Sequence, residues 1–226
     1  MAQIQVSELL SEVMQITREC PTVTAVAAYV SAARMLCNRS RWLLGNAGLS
    51  TEAAGPVYTL TPPDAFTEVI GIQAASITDG AGKIKALTES FSGTWDPNPA
   101  NDVGDGVPDF YQYVPEGRIG LRRTPAGIYA LVATVVVQPL RNAVSIDARL
   151  VSSWDYALQA GALGYLLALS RTPWVDKVEA RAQDGLFRGY INQATSSALR
   201  GFNGGAMPTD AYGANTGALR TGMQPI

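Results

Sequence analysis

The side chains that could do chemistry in this chain are carboxylates, lysines, arginines and tyrosines, because the sequence contains no histidine. Histidine is the commonest general base and metal ligand, and it completes Ser-His and Cys-His nucleophile pairs. Tyr29, Glu68, Asp155 and Asp184 are the candidates that remain, and their spacing matches no acid–base motif. Carboxylate pairs are recognised by distance, which the sequence does not give. We therefore expect no enzyme, no cofactor and no metal site, with a carboxylate-based hydrolase as the remote alternative.

Two further charged stretches have simple interpretations. The segment DPNPANDVGDGVPD carries Asp96, Asp102, Asp105 and Asp109, but its spacing does not fit a calcium-binding loop. We expect a solvated loop whose contacts, if any, are with a partner. The segment GRIGLRR carries Arg118, Arg122 and Arg123. Adjacent arginines of a strand point to opposite faces, so a shared phosphate site is disfavoured, and salt bridges between subunits are an equal alternative.

The composition indicates a globular chain with a thin charged surface. Of its 226 residues 47% are hydrophobic and only 16% are charged, so part of the surface is expected to be covered, most simply by copies of the same chain. The net charge is −2, and residues 45–140 hold five basic and ten acidic groups, a net −5. No basic field attracts nucleic acid. Cys20 and Cys37 are expected as free thiols in a reducing cytoplasm, with a disulfide as the less favoured alternative, and the N-terminus has no signal-peptide pattern.

Hydrophobic periodicity predicts four helices. The first covers VSELLSEVMQITREC, with Leu9, Val13 and Ile16 on one face and Leu10 and Met14 beside them. The second begins near Thr22 or Thr24 and ends near Trp42–Leu44, stopped by Gly45. The third runs from about Asp147 to Leu169 with one face formed by Leu150, Trp154, Leu158, Gly161/Ala162 and Tyr165. The fourth is expected to start at the Thr172-Pro173 cap and run to about Arg200, with its buried side marked by Trp174, Val178, Phe187, Ile191, Ala194 and Ala198.

Between the helix pairs the pattern is β. About five or six strands are predicted, five of them in PVYTLTPP, FTEVIGIQAASI, DFYQYV, GRIGL and IYALVATVVVQPL, with turn residues between them and no long helix. We predict an α+β fold in which a bundle of about four helices, residues 1–48 and 141–200, is interrupted by an antiparallel sandwich or barrel-like insertion, residues 49–140. Residues 201–226 are rich in glycine and form an extended C-terminal tail, with Phe202, Met207, Tyr212, Leu219 and Arg220 as spaced docking anchors. A tail without a docking role is the alternative.

Glycines and one tryptophan in the last two predicted helices are candidate packing residues. The apolar run 157–169 is 13 residues without a charge, whereas a membrane span needs about 20. We therefore expect a core helix and no membrane. Gly161, Gly164, Gly185 and Gly189 cost helix propensity, by roughly 1 kcal/mol each, which indicates close approach of another helix, in the same bundle or in the next subunit. Trp174 and Phe187 are expected to pack with them.

Three segments resemble the tail-adaptor, or head-to-tail connector, proteins of tailed bacteriophages. They are AARMLCNRSRWLL, the β segments from PVYTLTPPDAFTEVIGI to IYALVATVVVQPL, and WDYALQAGALGYLLALSRTPWVDKVEARAQDGLFRGYINQA. The last segment carries the small-residue run Gly161-Ala162-Leu163, Pro173-Trp174, Phe187, and Ile191 to Ala194 as the family does. The sequence departs from the family at Arg122-Arg123-Thr124, where an apolar strand end is expected.

The resemblance implies a structural protein of the virion neck, made in the host cytoplasm. Such proteins form a ring beneath the portal, usually of twelve copies. The helical bundles pack side by side, and the C-terminal tail reaches the portal protein. The β domain receives the next tail or nozzle protein, and viral DNA passes through the channel without sequence-specific binding. A related head-completion or tail-completion protein, at another level of the neck, is the alternative that the resemblance leaves open.

Overall fold

The computed structural model describes residues 2–51, 57–78, 80–90, 106–123 and 125–201 of the chain. The fold is α+β, as predicted. Its helical part consists of the 3-10 helix Val6–Leu9 and the helices α1, α2, α3 and α4, which span Ser11–Ile16, Thr22–Ser40, Ala148–Ala168 and Lys177–Leu199. The predicted tail residues, Phe202, Met207, Tyr212, Leu219 and Arg220, lie outside the described residues.

Seven of the described strands form one curled sheet that resembles half a barrel. Its order is β2-β8-β4-β5-β6-β7-β3, and these strands span Leu44–Ser50 (β2), Val57–Thr59 (β3), Thr67–Thr78 (β4), Ile84–Glu89 (β5), Phe110–Val114 (β6), Arg118–Arg122 (β7) and Ala130–Pro139 (β8). All neighbours are antiparallel except β5 and β6, which are parallel. The register of β4 against β8 shifts twice, between Val69 and Gly71 and between Ile72 and Ala74. Such irregularities bend a strand and favour curling of the sheet.

The predicted first helix is wrong as one continuous element. It divides into the 3-10 helix and the short α1, with Leu10 between them. The strand β1, Gln3–Gln5, pairs with β9, Ser145–Asp147, and the amide of Val6 donates to the carbonyl of Val144. These tertiary hydrogen bonds fix the start of the segment and override its local periodicity. Leu10 and Val13 are buried, but Ile16, predicted to share their face, is 52% exposed.

The second helix ends earlier than predicted, and Gly45 does not stop it. Arg41 adopts a left-handed conformation, with φ 53°, and its amide donates to the carbonyl of Cys37. Leu44–Ser50 then pairs with β8 over its whole length. Its sequence, LGNAGLS, has few residues typical of strands, so the partner strand decides its conformation. The predicted boundary at residue 48 falls inside β2, and the division into bundle, insertion and tail stays a prediction.

The third helix begins where its sequence predicts, because Asp147 caps it. The Asp147 carboxylate accepts from the backbone amide of Arg149 at 2.8 Å, and the Arg149 guanidinium pairs with it at 2.8 Å. Along the predicted face Leu150, Trp154, Leu158 and Ala162 are buried, whereas Tyr165 is 54% exposed. At Trp154 the backbone is not helical, with φ −135° and ψ 21°, so α3 is kinked there. The indole of Trp154 packs edge-on against Trp42, with ring centroids 5.8 Å apart.

The predicted cap of the fourth helix is wrong. Thr172 bonds back to the carbonyl of Leu169 at 2.9 Å, and the helix starts at Lys177 with Asp176 as its cap. The Asp176 carboxylate accepts from the amides of Val178 and Glu179, each at 3.0 Å. A carboxylate that satisfies two free amides and faces the positive end of the helix is the stronger cap. Val178, predicted to lie on the buried side, is 81% exposed.

Candidate functional site

The candidate carboxylates of the sheet and bundle are held by structural partners. Glu68 on β4 pairs with the Arg34 guanidinium at 2.9 Å and accepts from the Gln138 side chain at 2.6 Å. Arg34 also donates to the carbonyl of Pro139 at 2.6 Å. Asp184 pairs with Arg188 one turn along α4, at 2.8 Å. These contacts tie α2 to the interior strands β4 and β8 and support α4 locally.

Tyr29 and Asp155, which the sequence does not connect, form a hydrogen bond between α2 and α3. The fully buried Tyr29 hydroxyl donates to Asp155 at 2.6 Å, and the Gln159 side chain donates to the other carboxylate oxygen at 3.0 Å. Burial, with a further contribution from the Asp155 carboxylate, raises the pKa of Tyr29 far above its ordinary value. A neutral phenol with so high a pKa is a poor general base, so this pair acts as a tether between helices.

The basic and acidic groups of β5, β6 and β7 also contact each other within the chain. Asp109 binds Lys85 and pairs with Arg123 at 3.1 Å. The Lys85 hydrogen bond is the main cause that lowers the pKa of Asp109. Arg122 lies over the Phe110 ring at 5.7 Å. Arg118 pairs with Glu116 at 3.5 Å. Asp96, Asp102 and Asp105 lie outside the described residues, and within the described ranges no group of three or more potential metal-binding side chains occurs.

Two of the four predicted packing glycines lie where helices of the same chain meet. A methyl group on Gly161 would stand 2.8 Å from the Ala32 Cβ and 3.0 Å from two ring atoms of Phe187. One on Gly164 would stand 3.2 Å from the backbone nitrogen of Asp184. Carbon atoms in good contact are about 3.5–4.0 Å apart. The two glycines therefore let α3 approach α2 and α4 closely. Of the two alternatives for the neighbouring helix, the same bundle or the next subunit, these two glycines face the same bundle.

The other two glycines, Gly185 and Gly189, lie on the opposite side of α4, which faces away from the bundle. A methyl group at either position would have no atom of a described residue within 4 Å. The buried side of α4 includes Ala180, Phe187, Ile191 and Ala194. The opposite side of the helix, about 200° away, contains the residue two positions before each of these, together with Ala182 and Ser196. We call this exposed line the outer seam: Val178, Ala182, Gly185, Gly189, Asn192 and Ser196.

The outer seam is exposed and mostly small or apolar. Every one of its residues is exposed. A shallow groove of about 640 Å³ runs along one side of it, lined by Ala182, Gly185, Leu186, Gly189, Tyr190 and Gln193. Leu186 in this groove is 55% exposed, and Leu199 near the end of α4 is 84% exposed. This face has few polar side chains, and at Gly185 and Gly189 no side chain covers the helix backbone.

Positive charges border the other side of the outer seam. Lys177, Arg181 and Arg188 follow one another at intervals of four and seven residues, so they share a side of α4. Among the described residues Lys177 and Arg181 have no ion-pair partner, while Arg188 pairs with Asp184. Lys177 and Arg181 also line a second groove of about 420 Å³ between α2, α3 and α4, where Met35 and Tyr165 are exposed.

Trp174 lies in the connection between α3 and α4 rather than inside a helix. It is half-buried against the core, and its indole nitrogen is buried without a hydrogen-bond acceptor among the described residues. Phe187, 3% exposed, packs at the centre of the bundle. The candidate surface is therefore the outer seam with its basic border, and Trp174 belongs to the hairpin that presents it. No described helix is both long and apolar enough to cross a membrane.

The chain has a weak likeness to a solved structure and matches no known family. No protein-family model matches the chain, and no curated protein matches it. A solved structure described as the neck of an empty GTA particle computed with C6 symmetry aligns over 81% of this chain and 95% of its own. The two are 14% identical, and the TM-score is 0.26.

Proposed function

We propose that this chain is a structural adaptor of a tailed bacteriophage, which forms a ring beneath the portal, joins it to the tail and lets DNA pass. In this proposal the ring has twelve copies, the C-terminal tail binds the portal protein, and the β insertion receives the next tail component. The protein works in the virion neck and catalyses no reaction. The support comes from the resemblance of the three sequence segments and from the outer seam of α4.

The outer seam carries the proposal. Gly185 and Gly189 lower the stability of the isolated helix, and no described residue of the chain lies within 4 Å of a methyl group added at either position. Exposed glycines in the middle of a helix are explained most simply by a neighbour whose backbone or side chains come close in the assembled state. The adjoining Leu186, Tyr190 and Leu199 supply apolar surface for such a contact. A ring of copies covers this face on every subunit.

The carboxylates support a role without catalysis. Glu68 is bound by Arg34 and Gln138, and Asp155 is bound by Tyr29 and Gln159. The bonds from Arg34, Gln138 and Tyr29 join a helix to the sheet, two strands and two helices, and the bond from Gln159 lies within α3. An acid–base catalyst needs a substrate within hydrogen-bond reach of a group with a suitable pKa. These side chains are engaged in holding the fold together.

The charge of the β insertion suits a channel through which DNA slides. Residues 45–140 have a net charge of −5 from five basic and ten acidic groups. Phosphate groups bind where lysine and arginine displace counterions, and an acidic wall repels them. We therefore expect no measurable affinity for duplex DNA at physiological salt.

The test uses the full chain together with the portal protein of the same phage. Electron microscopy of the mixture should show a ring seated on the portal, and DNA should not bind to the purified chain in a mobility-shift assay. A chain that lacks residues 201–226 should still fold and should no longer bind the portal. A chain that stays monomeric in every condition, including with portal present, would refute the proposal.

Two other results would identify a different role. If the truncated chain still binds the portal protein but no longer binds the phage tail, the protein belongs at another level of the neck as a completion protein. If hydrolase screening finds an activity that is lost on changing Glu68, Asp155 or Asp184 to alanine, the chain is an enzyme. In each case the variant must keep the circular dichroism spectrum of the parent chain, which excludes misfolding as the cause.

A further inference from the structure

A closed ring needs two different surfaces on each subunit, because each copy uses one surface to bind the copy before it and another to bind the copy after it. The outer seam supplies one of them. The question that the proposed ring raises is which surface of the neighbouring copy covers the seam.

The N-terminal segment offers a surface of complementary character. We define the N-terminal edge as Glu8, Glu12, Ile16 and Glu19. All four side chains are exposed, Ile16 by 52%, and the three glutamates outnumber the one exposed basic residue among them, Arg18. None of the three glutamates has an ion-pair partner in the part of the chain that the structure describes.

The edge and the seam belong to different sides of the bundle. Helix α4 packs against α3 and α2, and α1 also packs against α3 and α2. Within the described ranges α1 and α4 share no substantial contact. One subunit therefore cannot use its own N-terminal edge to cover its own outer seam, whereas a second copy can.

The charges of the two surfaces are complementary. Gly185 lies one turn after Arg181 and one turn before Arg188, so two cations flank a point on the helix that has no side chain. Ile16 is an apolar side chain with Glu12 one turn before it and Glu19 three residues after it. We propose that the outer seam of one copy binds the N-terminal edge of the next, with Ile16 over Gly185 and Gly189 and the glutamates beside Arg181 and Arg188. This inference rests on the proposed ring.

Disulfide trapping in the full chain tests the pairing directly. We expect oxidation of a chain that carries both Ile16→Cys and Ala182→Cys, which leaves the seam glycines intact, to give a ladder of dimers, trimers and larger species. Each single variant should give no such ladder, and an equimolar mixture of the two should stop at a heterodimer. The native thiols Cys20 and Cys37 are buried and contribute little background. No ladder, either in concentrated solution or in assembled particles, overturns the pairing.

Charge reversal provides a second test with an internal rescue. Arg181→Glu and Glu12→Arg should each weaken association by about tenfold, and a mixture of the two variants should recover it. Arg141→Glu, an exposed reversal in the turn between β8 and β9, is the matched control and should associate as the parent does. Sedimentation at several salt concentrations measures the effect, which should shrink as salt rises. If Arg181→Glu and Arg141→Glu associate equally well, the assignment is wrong.

The outcomes separate this inference from the function on which it rests. If rings form with portal and the seam and edge variants do not change them, the adaptor role is supported. Only the contact between the outer seam and the N-terminal edge is then refuted. A trapped heterodimer from the mixed single variants supports the pairing, and the ring test with portal then decides the adaptor role by itself.

Discussion

The close contact of α2, α3 and α4 at Gly161 can be tested by adding one methyl group. In Gly161→Ala the new Cβ would lie 2.8 Å from the Ala32 Cβ and 3.0 Å from the Phe187 ring. Neither neighbour can move freely, because Ala32 has no further side-chain freedom and Phe187 is 3% exposed in the core. The helices must therefore separate by a large fraction of an ångström.

The expected magnitude has two opposing terms. Overpacking a well-packed core typically costs about 1–3 kcal/mol. Replacing glycine by alanine in the middle of a helix gains about 1 kcal/mol. Gly161→Ala should therefore lower the free energy of unfolding by about 0–2 kcal/mol.

Gly185→Ala is the matched control, because it lies mid-helix with no atom within 4 Å of its added methyl group. It should raise the free energy of unfolding of the single chain by about 1 kcal/mol. Urea denaturation followed by circular dichroism measures both variants, and the difference between them isolates the steric term. If the two variants have the same stability within about 0.5 kcal/mol, the close approach at Gly161 is refuted. In the assembled state the control should instead weaken subunit association.

Three further expectations concern buried titratable groups. Tyr29→Phe removes the hydroxyl that donates to Asp155 at 2.6 Å and should cost about 1–3 kcal/mol in urea denaturation. The Cys37 thiol, whose pKa burial raises to about 12, should react with Ellman's reagent only after unfolding. Burial, with a smaller effect of Glu89, raises the pKa of Tyr111 to about 12 from its ordinary 10.0. Above pH 10 the unfolded chain then binds fewer protons than the folded one, so stability should fall between pH 10 and 12, and less so in Tyr111→Phe.

Local signals in the sequence predict the elements whose ends are fixed locally. Asp147 caps α3 with its own carboxylate, so the sequence places the start of that helix correctly. The α2 helix starts at Thr22, one of its two predicted starts, but neither threonine caps it, because Pro21 is the N-cap and makes no side-chain hydrogen bond. The end of α2 is missed because Arg41, and not a glycine, takes the left-handed conformation that stops it. Two plausible caps, Thr172 and Asp176, lie four residues apart, and the sequence pattern favours the wrong one.

Features that depend on distant partners are beyond sequence reasoning. The strand Leu44–Ser50 exists because β8 pairs with it. Tyr29 and Asp155 are far apart along the chain, and only the packing of α2 on α3 brings them together. The sequence also does not distinguish the four helix glycines from one another, since all of them lie inside helices with similar residues beside them in the sequence. Whether a glycine faces its own bundle, as Gly161 does, or open space, as Gly185 does, depends on the rotation of its helix.

The pairing of β1 with β9 has a consequence for the order of events during synthesis. Gln3 pairs with Asp147, so β1 leaves the ribosome before its partner β9 and cannot pair until strands β2 to β8 have been translated. Contacts between such distant residues slow folding, because the long intervening loop must close first. We therefore expect the N-terminal segment to remain unpaired on the nascent chain until the beginning of α3 has emerged. The N-terminal edge, which follows β1 directly, then reaches its final position only after the start of α3 has been made.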